Sequence, residues 1–171
     1  MDESILRLLN GHGVLLAQAF SSKWMLVAVG VPLLGYLGKK RNWRAILSIV
    51  FAIGLSDLVV VRVLKPTVGR ERPCRALTEI EAPNGCGPGK SFPSAHASNA
   101  FAICVSAAAY VPHGKLILLP IAALVAWSRV ALGVHYPSDI LFGAVFGTLF
   151  ALLCNFLATR ISKPSPSSST S

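Results

Sequence analysis

Five long apolar segments separated by polar connections dominate the pattern of the chain. They cover roughly residues 24–38, 44–64, 97–111, 116–134 and 139–158. A helix of about 20 apolar residues crosses a hydrocarbon core of about 30 Å, so each segment is interpreted as a membrane span, the first and third being short. The pattern therefore predicts an all-α fold, a polytopic transmembrane helical bundle with about five spans.

The first 23 residues carry a weaker pattern, in which apolar residues recur at helical spacing. Asp2 and Glu3 spoil the basic region of a signal peptide, and the Gly-His-Gly sequence at residues 11–13 leaves its apolar core short. We therefore expect a retained amphipathic helix at the membrane interface, with a weakly inserted sixth helix as the alternative. Residues 1–161 are predicted to form a single membrane-embedded domain. The polar, Pro/Ser-rich residues 162–171 are predicted to be a disordered tail.

Composition places the chain among integral membrane proteins, because 53% of its residues are hydrophobic and 13% are charged. The net charge of +9 comes from short basic clusters between apolar segments and not from one soluble face. This distribution fits anionic lipid head groups better than nucleic acid. The expected partners are the lipid bilayer and a lipid phosphate substrate, without nucleic acid and without an obligate protein partner.

The basic connections predict the orientation in the membrane. If the spans alternate, one side collects Lys39, Lys40, Arg41, Arg44, Lys115 and Arg160. An excess of Lys and Arg marks the cytoplasmic side, so the long loop at residues 65–96 is expected outside, in the periplasm of a bacterial inner membrane. That loop holds Cys74 and Cys86. A disulfide between them is allowed in an oxidising compartment, and two free thiols are the alternative.

Two further features lie inside the predicted spans. Asp57 and Arg62 are charged residues in the second span, and we expect them to pair with each other or with a neighbouring helix. Gly143 and Gly147 form a GxxxG pattern in the fifth span, which is typical of a close helix contact.

Three polar clusters end apolar segments on the same side of the predicted membrane. The clusters are Lys65, Arg72 and Pro73; Pro93, Ser94 and His96; and Ser128, Arg129, His135 and Asp139. Lys65 and Arg72 flank Pro66 and Gly69, which predict a turn that lets both cations face one anion. Basic residues at a helix end are also typical of simple interfacial anchors.

The second and third clusters add hydrogen-bond donors and titratable groups. Ser94 is placed to begin the third span, where free backbone N–H groups bind phosphate and His96 lies in the first helical turn. His135 and Asp139 are four residues apart, a spacing at which the carboxylate can orient the imidazole and leave its other nitrogen free to attack. Taken singly, each feature is also compatible with an ordinary helix cap or a structural hydrogen bond.

Together, the sequences K-PTVGRE-RP, PSAH and SR-VALGV-H-YPS-D resemble the three-part signature of the type 2 phosphatidic acid phosphatase superfamily. These membrane lipid phosphatases share their active-site plan with vanadium haloperoxidases. The resemblance implies His135 as nucleophile, Asp139 as its partner and His96 as acid and base. It also implies that Lys65, Arg72, Ser94, Arg129 and the amide of Ala95 bind phosphate. The family often has Gly at the position of Ala95.

The resemblance implies an enzyme that needs neither metal nor cofactor. It would hydrolyse a terminal phosphate or diphosphate of a membrane lipid through a phosphohistidine. Candidate substrates are undecaprenyl diphosphate, phosphatidylglycerol phosphate, phosphatidic acid and lipid A 1-phosphate. The alternative is a carrier or transporter that binds lipid head groups without catalysis, but binding alone requires neither a nucleophile nor an acid.

Overall fold

Residues 1–160 are described by a computed structural model, without the side chains of Lys23 and Leu26, and they form only helices and connecting loops. In chain order the helices are α1 (Asp2–Leu9), α2 (Val14–Ser21), α3 (Lys23–Lys39), α4 (Trp43–Ser56), the π-helical segment Asp57–Leu64, α5 (Lys65–Val68), α6 (Pro73–Ala76), α7 (Ala95–Ala108), α8 (Gly114–Ala131) and α9 (Pro137–Arg160). The predicted all-α fold is confirmed for these residues. The tail predicted at residues 162–171 lies outside them.

Within residues 1–160, three helical stretches are long and apolar enough to cross a membrane. They are Trp43–Ala76, Gly114–Ala131 and Pro137–Arg160, and α3 adds the shorter apolar stretch Val27–Lys39. The central helix α7 has 14 residues, too few to span alone. Many outward-facing side chains are large and apolar, as lipid contact requires. The membrane fold is thus confirmed, and the count of five spans stays a prediction.

The N-terminal segment forms two short helices where one amphipathic helix was predicted. The break falls after α1, where Gly11 and Gly13 adopt positive φ angles of 77° and 62°. Leu6 is fully buried and packs against Tyr136, whereas Leu8 on the same helix is 70% exposed. The segment therefore covers the loop end of the bundle with one face and leaves an apolar face outward.

Polar side chains join the π-helical segment to α7. The side-chain amide of Asn99 donates to Asp57 at 2.9 Å. The hydroxyl of Ser56 lies 2.7 Å from the hydroxyl of Ser98 and donates to the amide oxygen of Asn99 at 2.6 Å. Of the two partners expected for Asp57, the structure shows the one on a neighbouring helix. Arg62 is exposed.

Helix α7 lies at the centre of the bundle, packed against α4, α8 and α9. It approaches α9 closely at the two glycines of the GxxxG pattern. A Cβ atom on Gly143 would lie 2.5 Å from the carbonyl oxygen of Ser94, and one on Gly147 would overlap the carbonyl oxygen of Ser98. The predicted close helix contact is confirmed. Because Ser94 caps α7 and Asp139 lies in the first turn of α9, this contact sets the distance between two of the polar clusters.

Gly147→Ala should lower stability by about 1–3 kcal/mol, because the added methyl group meets backbone that cannot move without separating α7 from α9. Thermal unfolding of the purified protein in detergent should show the loss as a lower Tm. Gly54→Ala is the matched control, since a Cβ atom at this helical glycine has open space around it. Equal Tm values for the two variants would contradict the role assigned to the glycine contact.

Candidate active site

Lys65 begins the last helical turn before the chain reverses. The helix continues to Val68, one turn further than the predicted end of the span, and stops at Gly69, which adopts the left-handed φ of 64° that glycine tolerates best. The predicted turn between Lys65 and Arg72 is therefore present, but it begins one helical turn late. Lys65 Nζ donates to the carbonyl oxygens of Lys90 at 2.8 Å and Ser91 at 3.3 Å.

Arg72 connects the same loop to the third cluster. Its guanidinium donates to the carbonyl oxygens of Pro88 at 3.1 Å, Gly89 at 3.3 Å and Val134 at 3.2 Å. Its Nη1 also lies 3.5 Å from Nε2 of His135. The two predicted phosphate-binding cations therefore hold the rim formed by residues 88–91 and face the predicted nucleophile.

The loop that carries this rim is closed by a disulfide. The structure joins Cys74 to Cys86, with their Cα atoms 5.8 Å apart. The backbone N–H of Cys74 also donates to the carbonyl oxygen of Gly133 at 3.2 Å, and the guanidinium of Arg75 contacts the carbonyl oxygen of Gly87. The cross-link thus fixes the rim next to Arg72.

Reduction of this disulfide should lower the free energy of unfolding by about 3 kcal/mol, because the unfolded chain regains the entropy of a short closed loop. The rim that Lys65 and Arg72 hold should also loosen, so kcat/KM should fall. Tm and the activity expected from the resemblance, measured with and without reductant, test both effects. Reductant should change neither value in the Cys74→Ser/Cys86→Ser double variant. Complete thiol labelling of both cysteines in unreduced native protein would contradict the bond.

The second cluster forms a helix start, as predicted. Ser94 is the N-cap of α7, and its hydroxyl accepts from the backbone N–H of Ala97 at 3.4 Å. Its own N–H donates to the carbonyl oxygen of Asp139 at 3.0 Å, which joins the beginnings of α7 and α9. His96 follows in the first turn of α7 and is exposed.

The third cluster pairs a buried carboxylate with a buried imidazole. Asp139 is fully buried, and its Oδ2 lies 3.4 Å from His135 Nδ1. The same oxygen accepts from the N–H of Tyr136 at 2.9 Å and from the hydroxyl of Ser91. Nδ1 therefore faces Asp139, and Nε2 faces Arg72 and the cavity.

The environment of His135 keeps its imidazole neutral. Burial lowers the pKa of His135 to about 4, and the nearby charges of Arg72 and Lys65 act in the same direction. The hydrogen bond with Asp139 raises the pKa and has a larger effect than either charge, but it is weaker than the effect of burial. At neutral pH the Nε2 lone pair is thus free to attack.

A cavity of about 290 Å³ brings most of the predicted site together. Its lining contains Lys65, Arg72, Ala95, His96 and His135, together with Val61, Pro88, Gly89 and Lys90. The lining does not include three predicted site residues that the structure describes: Ser94, Asp139 and Arg129. Ser94 and Asp139 are fully buried behind it. Arg129 donates to the hydroxyl of Ser21, and its Nε is buried without a hydrogen-bond partner in residues 1–160.

Three site residues escaped the sequence-based prediction. Ser91 contacts both Asp139 and His135, Ser21 binds Arg129, and Arg70 binds Asp139 at 2.9 Å. From the sequence alone, Arg70 had no predicted role in the site. Its position between Lys65 and Arg72 on one short turn is the signal that could have indicated a role in the site.

The charges of the site are unbalanced. Within the described part of the chain, no carboxylate forms a salt bridge with Lys65, Arg72 or Arg129. Lys65 and Arg72 thus lie beside a neutral imidazole in the cavity, which the exposed His96 also lines, and Arg129 lies outside this lining. Such a constellation suits transfer of a phosphoryl group to the imidazole nitrogen, with the second histidine giving a proton to the oxygen that departs. Fold and site together define a helical membrane protein with a phosphoryl-transfer site.

Comparison with known proteins gives the family. The sequence matches the PAP2 superfamily over residues 45–162, and the chain belongs to that superfamily. It is 31% identical over 154 residues to a lipid A 4'-phosphatase of Bacteroides thetaiotaomicron, a match that covers 84% of this chain and 68% of that protein. It is 35% identical over 125 residues to a decaprenylphosphoryl-5-phosphoribose phosphatase of Mycolicibacterium smegmatis, covering 72% and 63% of the two chains.

A solved structure supports the same assignment. The crystal structure of a transmembrane PAP2-type phosphatidylglycerolphosphate phosphatase from Bacillus subtilis superposes with a TM-score of 0.75 at 25% identity. The match covers 96% of this chain and 87% of the other. The predictions of the family, of a helical membrane protein and of a lipid phosphatase are confirmed at this level.

Proposed function

We propose that the protein removes a terminal phosphate monoester from the head group of a membrane lipid, through a phosphohistidine at His135 and without a metal ion. The three named relatives act on lipids with different head groups, and the terminal phosphate is what those lipids have in common. The observation that carries the proposal is that Nε2 of His135 faces a cavity that Lys65 and His96 also line, 3.5 Å from Nη1 of Arg72.

Phosphate binding uses the cations that lack a carboxylate partner. Lys65 and Arg72 line the cavity and bind the phosphate oxygens, and Arg129 adds positive charge from outside the lining, its buried Nε having no hydrogen-bond partner in residues 1–160. The first N–H groups of α7, that of Ala95 included, add the positive end of a helix. Ser94 acts here chiefly by capping that helix. These donors stabilise the charge that spreads over the phosphoryl oxygens in the transition state.

The chemistry follows in two displacements. His135 Nε2 attacks phosphorus, the bond from phosphorus to the lipid oxygen breaks, and His96 gives its proton to the departing oxygen. Asp139 stabilises the positive imidazole that results. His96 then accepts a proton from water, the hydroxide attacks phosphorus, and the bond to Nε2 breaks to release inorganic phosphate.

The site belongs, on this proposal, to the extracytoplasmic face of a bacterial inner membrane. Lys65 lies 22 residues after Trp43 on one continuous helical stretch. At 1.5 Å per residue these positions are roughly 30 Å apart, about the thickness of a hydrocarbon core. The basic residues Lys39, Lys40, Arg41 and Arg44 mark the end opposite to the site as cytoplasmic. Residues 1–161 form, on the same proposal, one membrane-embedded domain.

Phosphate release from a lipid panel tests the function. The panel contains lipid A carrying its 1- or 4'-phosphate, phosphatidylglycerol phosphate, phosphatidic acid and undecaprenyl diphosphate, each in mixed detergent micelles. Wild-type protein should release phosphate from at least one of the phosphate monoesters in the panel, and Arg72→Gln should lose most of that activity. Arg44→Gln, at the opposite end of the helix, should retain it. Binding of a lipid phosphate without release of phosphate would favour the carrier instead.

EDTA should leave the activity unchanged, because Lys65, Arg72 and Arg129 provide the positive charge that a metal ion would otherwise supply. Orthovanadate should inhibit, since a five-coordinate oxyanion bonded to His135 Nε2 resembles the transition state. Initial rates with EDTA, with added Mg²⁺ and with vanadate test both statements. Loss of activity in EDTA and its recovery with Mg²⁺ would contradict the proposed mechanism.

A further inference from the structure

Asp139 has a second charged partner besides His135. While Oδ2 faces the imidazole, Oδ1 accepts from Nη1 of Arg70 at 2.9 Å. Arg70 is 31% exposed, and its guanidinium lies over the ring of Tyr136, 3.7 Å from the ring centre. The carboxylate of Asp139 therefore contacts His135 through one oxygen and Arg70 through the other, and Arg70 does not line the cavity.

Arg70 is itself held by the N-terminal helix. Its Nη2 lies 2.8 Å from Oδ2 of Asp2, and its Nη1 donates to the hydroxyl of Ser138 at 2.7 Å. Ser138 in turn donates to Asp2 from its N–H at 2.9 Å and from its hydroxyl at 2.5 Å. Asp2, Arg70 and Ser138 thus form a closed ring of hydrogen bonds at the start of α9. We call this ring the clamp.

The contacts of the clamp are those of an ionised carboxylate with a charged guanidinium. Burial raises the pKa of Asp2, but the hydrogen bonds from Ser138 and Arg70 outweigh burial and leave the pKa below its usual value. Two carboxylates, Asp2 and Asp139, share one guanidinium through different nitrogens. This arrangement needs the planar fork of arginine, because a lysine ammonium cannot reach both carboxylates in the same geometry.

We infer that Arg70 is a positioning residue for Asp139, and that Asp2 of α1 completes the clamp, so that the N-terminal helix supports catalysis. The inference rests on the proposed function, in which Asp139 orients His135 and stabilises the positive imidazole. Without Arg70, the buried carboxylate keeps Ser91 and the N–H of Tyr136 on Oδ2 but loses the contact that fixes Oδ1. It can then turn away from Nδ1, which costs rate and leaves phosphate binding intact.

The attachment of α1 does not depend on Asp2 alone. Leu6 is fully buried against Ile80 and Tyr136, and Arg7 pairs with Glu79 at 2.8 Å. Asp2→Asn should therefore leave the helix in place and remove only the charge that holds Arg70. Arg7→Gln is the matched control, because it removes an arginine salt bridge of the same helix without contacting Asp139.

A double-mutant cycle between Arg70 and Asp139 tests the inference. We expect Arg70→Gln to lower kcat about 10- to 100-fold and to leave KM within about twofold of the wild-type value. A loss of this size is usual when a group that orients a catalytic residue is removed. In an Asp139→Asn background the same substitution should cost less than about threefold, because the two residues act as one unit. Arg70→Lys should recover part of the kcat that Arg70→Gln loses. Asp2→Asn should lower kcat about 3- to 10-fold, and the kcat of Arg7→Gln should equal that of wild-type protein.

Orthovanadate binding, measured by calorimetry, repeats the cycle without turnover. Vanadate affinity should fall in Arg70→Gln and should not fall further in the double variant relative to Asp139→Asn. An equal loss from Arg70→Gln in both backgrounds, or a loss confined to KM, would overturn the inference. So would a loss in Arg7→Gln as large as that in Asp2→Asn. If wild-type protein hydrolysed none of the lipids, the proposed function would fail, and the vanadate cycle would still decide the role of Arg70.

Discussion

His135→Ala should abolish both product formation and the covalent intermediate. In residues 1–160 the imidazole of His135 has the carboxylate of Asp139 on one side and, on the other, Arg72, a cation that we propose binds phosphate. Loss of a catalytic nucleophile from a preorganised site costs on the order of 10⁴ to 10⁶ in kcat. Rapid quenching of wild-type protein with ³²P-labelled lipid should yield protein-bound phosphate that is labile in acid and stable in base. The variant should yield none.

His113→Asn is the control for that experiment. His113 precedes α8 in the connection after α7, and its φ of 53° is one that asparagine tolerates. The control should therefore fold, turn over and form the adduct as wild-type protein does. Recovery of a phosphohistidine from His135→Ala would show that the nucleophile is wrongly assigned, and His96 would become the first alternative.

The parts of the site that the sequence predicted all depend on helix ends. Lys65, Ser94 and His135 each lie within a few residues of an apolar helix, so the topology alone brings them to one side of the membrane. Asp139 follows from its spacing of four residues after His135. Local rules of capping and periodicity are sufficient for these residues, because each rule acts over a few positions along the chain.

The residues that the sequence did not predict depend on contacts between distant segments. Arg70 meets Asp2 and Asp139 at separations of 68 and 69 residues, and Ser21 meets Arg129 at a separation of 108. No periodicity connects such positions, and an exposed loop arginine has the same local pattern as a lipid anchor. Their roles follow only once the loop and the N-terminal helices are packed over the bundle.

The backbone of the second span shows a similar limit. Apolar periodicity predicted one regular helix, but residues 57–64 form a π-helical segment whose wider turn shifts the face that each later side chain presents. Lys65 follows this segment directly and points to the rim carbonyls of Lys90 and Ser91. A π-helical turn cannot be recognised from a hydrophobic pattern, because Leu, Val and Ile are compatible with both α-helical and π-helical geometry.

His96→Ala should reduce activity by an amount that depends on the leaving group. The substitution leaves His135 in place and removes the group that we propose protonates the departing lipid oxygen. An alkoxide is a poor leaving group, so hydrolysis of a monoalkyl lipid phosphate should fall about 10²- to 10⁴-fold, the usual contribution of general acid catalysis. An aryl phosphate leaves as a weak base and needs little protonation, so its hydrolysis should fall much less.

Steady-state kcat values for a matched pair of substrates, an alkyl and an aryl phosphate in the same detergent, measure the difference. Lys65→Gln is the control, because Lys65 lines the cavity. On the proposed function it binds phosphate, so its loss should affect both substrates by a similar factor. A larger loss for the alkyl substrate in His96→Ala alone identifies His96 as the acid. Equal losses for both substrates in that variant would contradict this role and place His96 among the groups that bind phosphate.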